Sequence, residues 1–206
     1  MKEEEIQDEL VSIRNLMERS SKFISLSGLS GVLAGIYSLS GAAFAYFMIY
    51  RGTSRVYTAL NFHTNPVILY DLVAVALLVL LLSLVSGVIL TSIKAKQKGQ
   101  PIWGKVSRLL LFHMAIPLIT GGILILIFLF RGYYGIVSPT SLIFYGLALI
   151  GASNFTFTMV KYLGLCEIAL GLIAACLPGY GLLFWAIGFG VLHIVYGSMM
   201  YFKYDW

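Results

Sequence analysis

Six long apolar runs, each closed by a short polar interruption, cover the chain from about residue 23 to residue 202. They lie at about 23–50, 66–93, 106–130, 137–152, 157–177 and 182–202. A helix rises about 1.5 Å per residue, so about 20 apolar residues cross the hydrocarbon of a bilayer. Five of the runs reach that length, and the fourth is shorter. The pattern predicts an all-α integral membrane protein with six transmembrane helices in one domain, residues 23–206. Ahead of it, residues 1–22 alternate differently: Ile6, Leu10, Ile13 and Met17 are spaced four, three and four, one narrow stripe on a helix. A short amphipathic N-terminal helix is expected there.

Polar residues mark the ends of the spans. Asn65-Pro66 reads as a cap followed by a first-turn proline, and Asp71 falls near the start of span two, where water reaches it. The loop after span two carries Lys94, Lys96, Lys98, Lys105 and Arg108 and breaks at Gly99-Gln100-Pro101. Span three holds His113, Pro117 and Gly121-Gly122, so a kink is expected at the proline. A tight link, Ser153-Asn154-Phe155-Thr156, joins spans four and five.

Within the apolar runs, glycine recurs at helical spacing. Span one has Gly28, Gly31 and Gly35; span five has Gly164 and Gly171; span six has Gly190 and Gly197. Steps of three and four return to one face of a helix, and small residues on one face let helices approach closely in a bilayer. Two of these stripes contain an ionisable residue, as Gly164-x2-Glu167-x3-Gly171 and Gly190-x2-His193-x3-Gly197. Glu167 and His193 each stand thirteen residues from Tyr180 in the turn Leu177-Pro178-Gly179-Tyr180-Gly181, which puts them at one depth. Their side chains are expected to meet between spans five and six. The segment 28–37 aligns with 164–173 and, more weakly, with 115–124. Each copy opens a hairpin, which implies three helical hairpins packed through small residues, with the acid peculiar to the third.

The hairpin from Gly164 to Gly197, with its glycine punctuation and Pro178-Gly179 turn, resembles the short repeat of the bacterial acid-resistance membrane proteins. That family has six spans in three such hairpins. Over roughly residues 23–202 the chain is also similar to uncharacterised six-span bacterial inner-membrane proteins. The resemblance implies a stress-linked or housekeeping membrane protein and carries no catalytic residue with it.

Composition agrees with the pattern: 59% of the 206 residues are hydrophobic and 11% charged, where a soluble domain has about a quarter charged. The net charge of +5 does not point to nucleic acid, because the basic residues fall in loops between spans. One side of the predicted topology holds Lys2, Arg14, Arg19, Lys22, Lys94, Lys96, Lys98, Lys105, Arg108, Lys161 and Lys203, and the other Arg51, Arg55 and Arg131. By the positive-inside rule both termini are cytoplasmic, and the resemblance implies the bacterial inner membrane as the location. Tyr50, Trp103, Tyr133, Tyr134, Trp185 and Trp206 suit the aromatic belts. In the N-terminal segment Glu3, Glu4, Glu5, Asp8 and Glu9 precede Arg14 and Arg19, which suits the helix dipole. Its net negative charge is repelled by an anionic leaflet. It is therefore expected to be a solvated helix lying on the protein's own loops, the alternative being that residues 1–20 dock a homo-oligomer or partner. Membrane lipids are the other expected partner.

A mid-membrane acid beside an imidazole fits three chemistries: a buried structural pair, a proton- or cation-coupled pathway with His193 as relay, or a cofactor site. His113 belongs to the same candidate polar set, but lies nearer the cytoplasm than His193, which argues against paired haem ligation. One glutamate and one histidine are too few for a zinc site. Cys166 and Cys176 are about 15 Å apart by helical rise, too far for a disulfide. Cys166 also points about 100° away from Glu167. With no nucleophile placed beside a base, neither an enzyme nor a cofactor is expected. The expected function is that of a non-enzymatic, structural or stress-related inner-membrane protein. The alternative is a small proton-coupled transporter or oligomeric channel using Glu167 and His193. A carboxylate opening onto a water-filled cavity favours transport, and a closed, glycine-lined contact favours structure.

Overall fold

A computed structural model describes residues 26–50, 66–99 and 102–205, and among them there is no strand. The helix predicted at 1–22 and the loop with Arg51 and Arg55 lie outside the described residues. The helices are α1 (Gly28–Tyr50), α2 (Pro66–Gln97), α3 (Lys105–Phe130), α4 (Val137–Ser153, entered through a 3-10 turn at Tyr134–Ile136) and α5 (Thr158–Cys176). The sixth, α6, is α-helical at Gly181–Trp185, π-helical at Ala186–Leu192, α-helical again at His193–Met200 and π-helical at Tyr201–Asp205. Among the described residues, six helices are long and apolar enough to cross a membrane.

The helix boundaries differ from the sequence pattern in one consequential place. Lys94, Lys96 and Lys98 are predicted in a loop, yet α2 runs on to Gln97 and the turn begins near Gly99, whose φ is +62°. The helix continues because its basic end finds partners. The Lys94 ammonium donates to the Leu26 carbonyl oxygen at 2.7 Å and sits 5.8 Å from the centre of the Phe157 ring. Phe157 stacks on Tyr204 at 4.1 Å, and Lys98 donates to the Tyr204 carbonyl oxygen at 3.4 Å. These contacts draw the start of α1, the end of α2, the residue before α5 and the end of α6 together. Lys94 is buried although it is a lysine, with its charge held against a carbonyl and a ring face.

Glycine decides which helices touch most closely, and it does so across the sequence hairpins. The stripe on α1 meets α6: a Cβ on Gly35 would lie 2.6 Å from the Gly190 carbonyl oxygen, and one on Gly31 3.1 Å from the Gly197 Cα. Gly28 faces the backbone of Gly197 and Tyr201. The stripe on α5 meets α4 instead, where a Cβ on Gly164 would be 2.7 Å from the Gly146 carbonyl oxygen and one on Gly171 3.0 Å from that of Pro139. Both pairs are antiparallel and share a seven-residue step. Gly28 and Gly35 oppose Gly197 and Gly190, as Gly164 and Gly171 oppose Gly146 and Pro139. The contacts of α4 with α5 and of α1 with α6 are the most extensive in the bundle, whereas α5 and α6, neighbours in sequence, touch far less. Helix α2 packs on α1, and α3 on α4, and both turn most of their surface outward.

Pro117 lies inside α3, where its ring removes the amide that would bond the carbonyl of His113. That carbonyl oxygen faces Gly151 of α4, whose missing Cβ would lie 3.2 Å from it. The turn between α5 and α6 closes at Gly179, with φ +97°, a backbone conformation that side-chain-bearing residues resist.

These contacts predict a sharp contrast between glycines. In Gly197→Ala the new methyl would meet the Val32 amide nitrogen at 2.6 Å, so the helices must part, at about 1–3 kcal/mol. In Gly122→Ala nothing lies within 4 Å, and the better helix propensity should leave stability unchanged or slightly raised. Thermal unfolding of both variants in detergent measures the difference, and equal midpoints would contradict the α1–α6 contact.

Candidate functional site

Three helices bring polar side chains into the apolar interior. Glu167 comes from the middle of α5, on the face that carries Gly164 and Gly171 and is pressed against α4. His193 begins the second α-helical piece of α6, directly after the π turn. Tyr145 comes from α4, one residue before Gly146. A column of rings steps along α6 at intervals of four, Trp185, Phe189 and His193, with centroids 5.3 and 6.0 Å apart. Tyr145 leans on both Phe189 (5.0 Å) and His193 (5.4 Å).

The hydrogen bonds fix what the imidazole can do. His193 Nδ1 lies 3.0 Å from the Gly188 carbonyl oxygen, and Nε2 lies 2.8 Å from the Tyr145 hydroxyl. A carbonyl oxygen only accepts, so Nδ1 carries the proton and donates it to Gly188. In a neutral ring Nε2 then accepts the Tyr145 O–H. Both ring nitrogens are thereby committed, and α4 is tied to α6 through His193.

Glu167 stands beside this chain and not in it. Its Oε1 is 3.4 Å from His193 Nδ1, within ion-pair range, but the Nδ1 proton is directed at Gly188. Neither carboxyl oxygen has a hydrogen-bond partner among the described residues, and the side chain is 0% exposed. Its space is made by Gly188: a Cβ there would lie 2.5 Å from Glu167 Oε2 and 2.5 Å from Leu142 Cδ2. Leu142 is itself fully buried, so the carboxyl is closed in on the α4 and α6 sides. Next to it on α5, Cys166 Sγ lies 3.7 Å from the Tyr196 hydroxyl of α6, a separate contact.

The sequence-predicted set is thus brought together in part. Glu167 and His193 meet, as equal distance from the turn predicts. The predicted reason, facing glycine stripes on spans five and six, is replaced by another: those stripes pack on α4 and α1, and Gly188 makes the α5–α6 contact. His113 is not part of the cluster. It is exposed on α3 and packs its ring on Phe155 at a centroid distance of 4.9 Å. Tyr145 and Gly188 are the residues that sequence reasoning passes over. The i, i+4 column Trp185, Phe189, His193 was the available signal for a ring-lined face, but nothing along the chain pairs that face with Tyr145.

As a donor set the cluster is sparse. With Nδ1 protonated and Nε2 occupied by Tyr145, His193 presents no free lone pair, and among the described residues no group of three or more His, Cys, Asp or Glu gathers. What the arrangement can do is hold α4, α5 and α6 in register. No family model matches the chain, and neither the curated proteins nor the solved structures compared with it include a match. The likeness of 164–197 to the acid-resistance repeat therefore stands on those residues alone.

The ties predict a specific coupling. Tyr145→Phe leaves His193 Nε2 without its donor in an apolar site, at about 1–3 kcal/mol. Tyr145→Phe combined with His193→Ala should then cost less than the sum of the two, by at least about 0.5 kcal/mol. A double-mutant cycle followed by thermal unfolding in detergent reads that term, and strict additivity would dissolve the Tyr145–His193 tie.

Proposed function

We propose that the chain is a multi-pass protein of the bacterial inner membrane, with both termini cytoplasmic and no enzymatic activity, whose role is structural or stress-related. The six spans form three successive hairpins, and the N-terminal amphipathic segment lies on the cytoplasmic side. Six helices of sufficient length and apolarity support the membrane setting, and the basic-residue asymmetry of eleven against three supports the orientation. Packing of α1 on α2 and of α3 on α4 supports the first two hairpins. The contact of Glu167 with His193 supports the third.

One observation carries the structural reading: the single mid-bundle acid is closed off. A carrier carboxylate exchanges its cargo with water on at least one side. Glu167 is instead wholly buried, with Leu142 and Gly188 against it and Tyr145 and His193 linked beside it. The cluster serves as a polar lock between three helices packed mostly through apolar and glycine contacts. In such surroundings the Tyr145–His193–Gly188 chain fixes register, because a mismatched alternative leaves one of its groups unpaired.

Proton flux separates this reading from transport. Purified protein in liposomes, under an imposed pH gradient and potassium potential, should dissipate the gradient no faster than empty liposomes. Flux that disappears in Glu167→Gln would replace the structural role with a proton-coupled one.

Orientation has its own test. A single cysteine placed within residues 52–64 should react with an impermeant maleimide added outside intact cells, and one at Trp103 should not, in a background lacking Cys166 and Cys176. The opposite labelling would invert the topology.

A further inference from the structure

We propose that Glu167 is a proton-binding site, and that the proton is the one ligand its closed pocket accepts. This rests on the same site as the polar lock and adds a ligand to it. The groups that face the acid are few. From α6 they are His193, with Nδ1 at 3.4 Å from Oε1, and from α4 Tyr145, whose hydroxyl is bound to His193 Nε2. On α5 itself Cys166 is adjacent in sequence but is engaged with Tyr196 of α6. Helix α1 packs on α6 and contributes tyrosines alone as titratable groups, and α2 and α3 lie outside α1 and α4.

His193 is therefore the one basic group within 4.0 Å of the acid among the described residues, and its proton there is given to Gly188. An ionised Glu167 would be a charge with no donor in an apolar interior, the arrangement proteins avoid by neutralising the group. A metal or hydrated cation needs several further oxygen ligands and room for them. The carboxyl is instead packed so that even one carbon added at Gly188 would collide with it. A proton needs neither. The same geometry removes His193 from the proton's route: both of its nitrogens are engaged, so it positions the π turn through Gly188 and does not relay to the acid.

Infrared spectroscopy of the full-length protein in lipid, near neutral pH, tests the proposal. A protonated carboxylic acid has a carbonyl stretch of its own, separate from the ionised group. Uniform 13C-glutamate labelling of the wild-type chain should shift that band, and Glu167→Gln should abolish it. The other glutamates are Glu3, Glu4, Glu5, Glu9 and Glu18, so Glu167→Gln assigns the band, while the labelled wild type serves even if that variant fails to fold. Absence of any glutamate-shifted band, or a band that persists in folded Glu167→Gln, would overturn the proton site. Neither result depends on the flux measurement, so a missing band and a Glu167-dependent flux remain separate failures.

Discussion

Backbone-to-backbone contact at glycine is the constraint on which this bundle depends. Between helices whose surfaces are apolar everywhere, burial against lipid or against a neighbour is nearly equivalent, so hydrophobicity selects no partner. Close approach does. Where Gly35 meets the Gly190 carbonyl and Gly164 meets that of Gly146, dispersion contacts and weak Cα–H donors become available that no larger residue permits. These two antiparallel pairs, α1 with α6 and α4 with α5, share one register. With both in place, the remaining contact, α5 against α6, is set by what lies between the pairs.

What lies there is polar. Tyr145, His193 and the Gly188 carbonyl form a hydrogen-bonded chain from α4 to α6, and Glu167 fills the space that Gly188 leaves. The π turn Ala186–Leu192 ends at His193, and Gly188 within it both receives the imidazole proton and admits the carboxyl. Turns of this type are uncommon overall and frequent at functional sites. The clasp at one end of the bundle, in which Lys94 and Lys98 bind carbonyls of residues 26 and 204, closes the same helices at their ends. A loop that reads as simple positive-inside charge is thus also a set of helix-end ties.

Much of this was legible along the chain, for physical reasons that operate locally. Helix number and approximate bounds follow from runs of apolar residues, because length and apolarity are properties of a segment taken alone. The seven packing glycines follow from spacing, because three- and four-residue steps define a helix face whatever that face meets. The shared depth of Glu167 and His193 follows from counting outward from one turn. What a stripe meets is not a local property. Gly164 and Gly171 could serve α6 or α4 equally well by spacing, and only the assembled bundle shows α4. Tyr145 is one tyrosine among thirteen until α4 is laid beside α6. Gly188 sits outside every stripe, and its role arises because a carboxyl from another helix occupies the volume of its absent Cβ. The sequence alone determined the helices, their packing glycines and the shared depth of Glu167 and His193. The tertiary structure decided which of them touch, because pairing between equally apolar helices turns on shape and hydrogen-bond geometry that exist only after they pack.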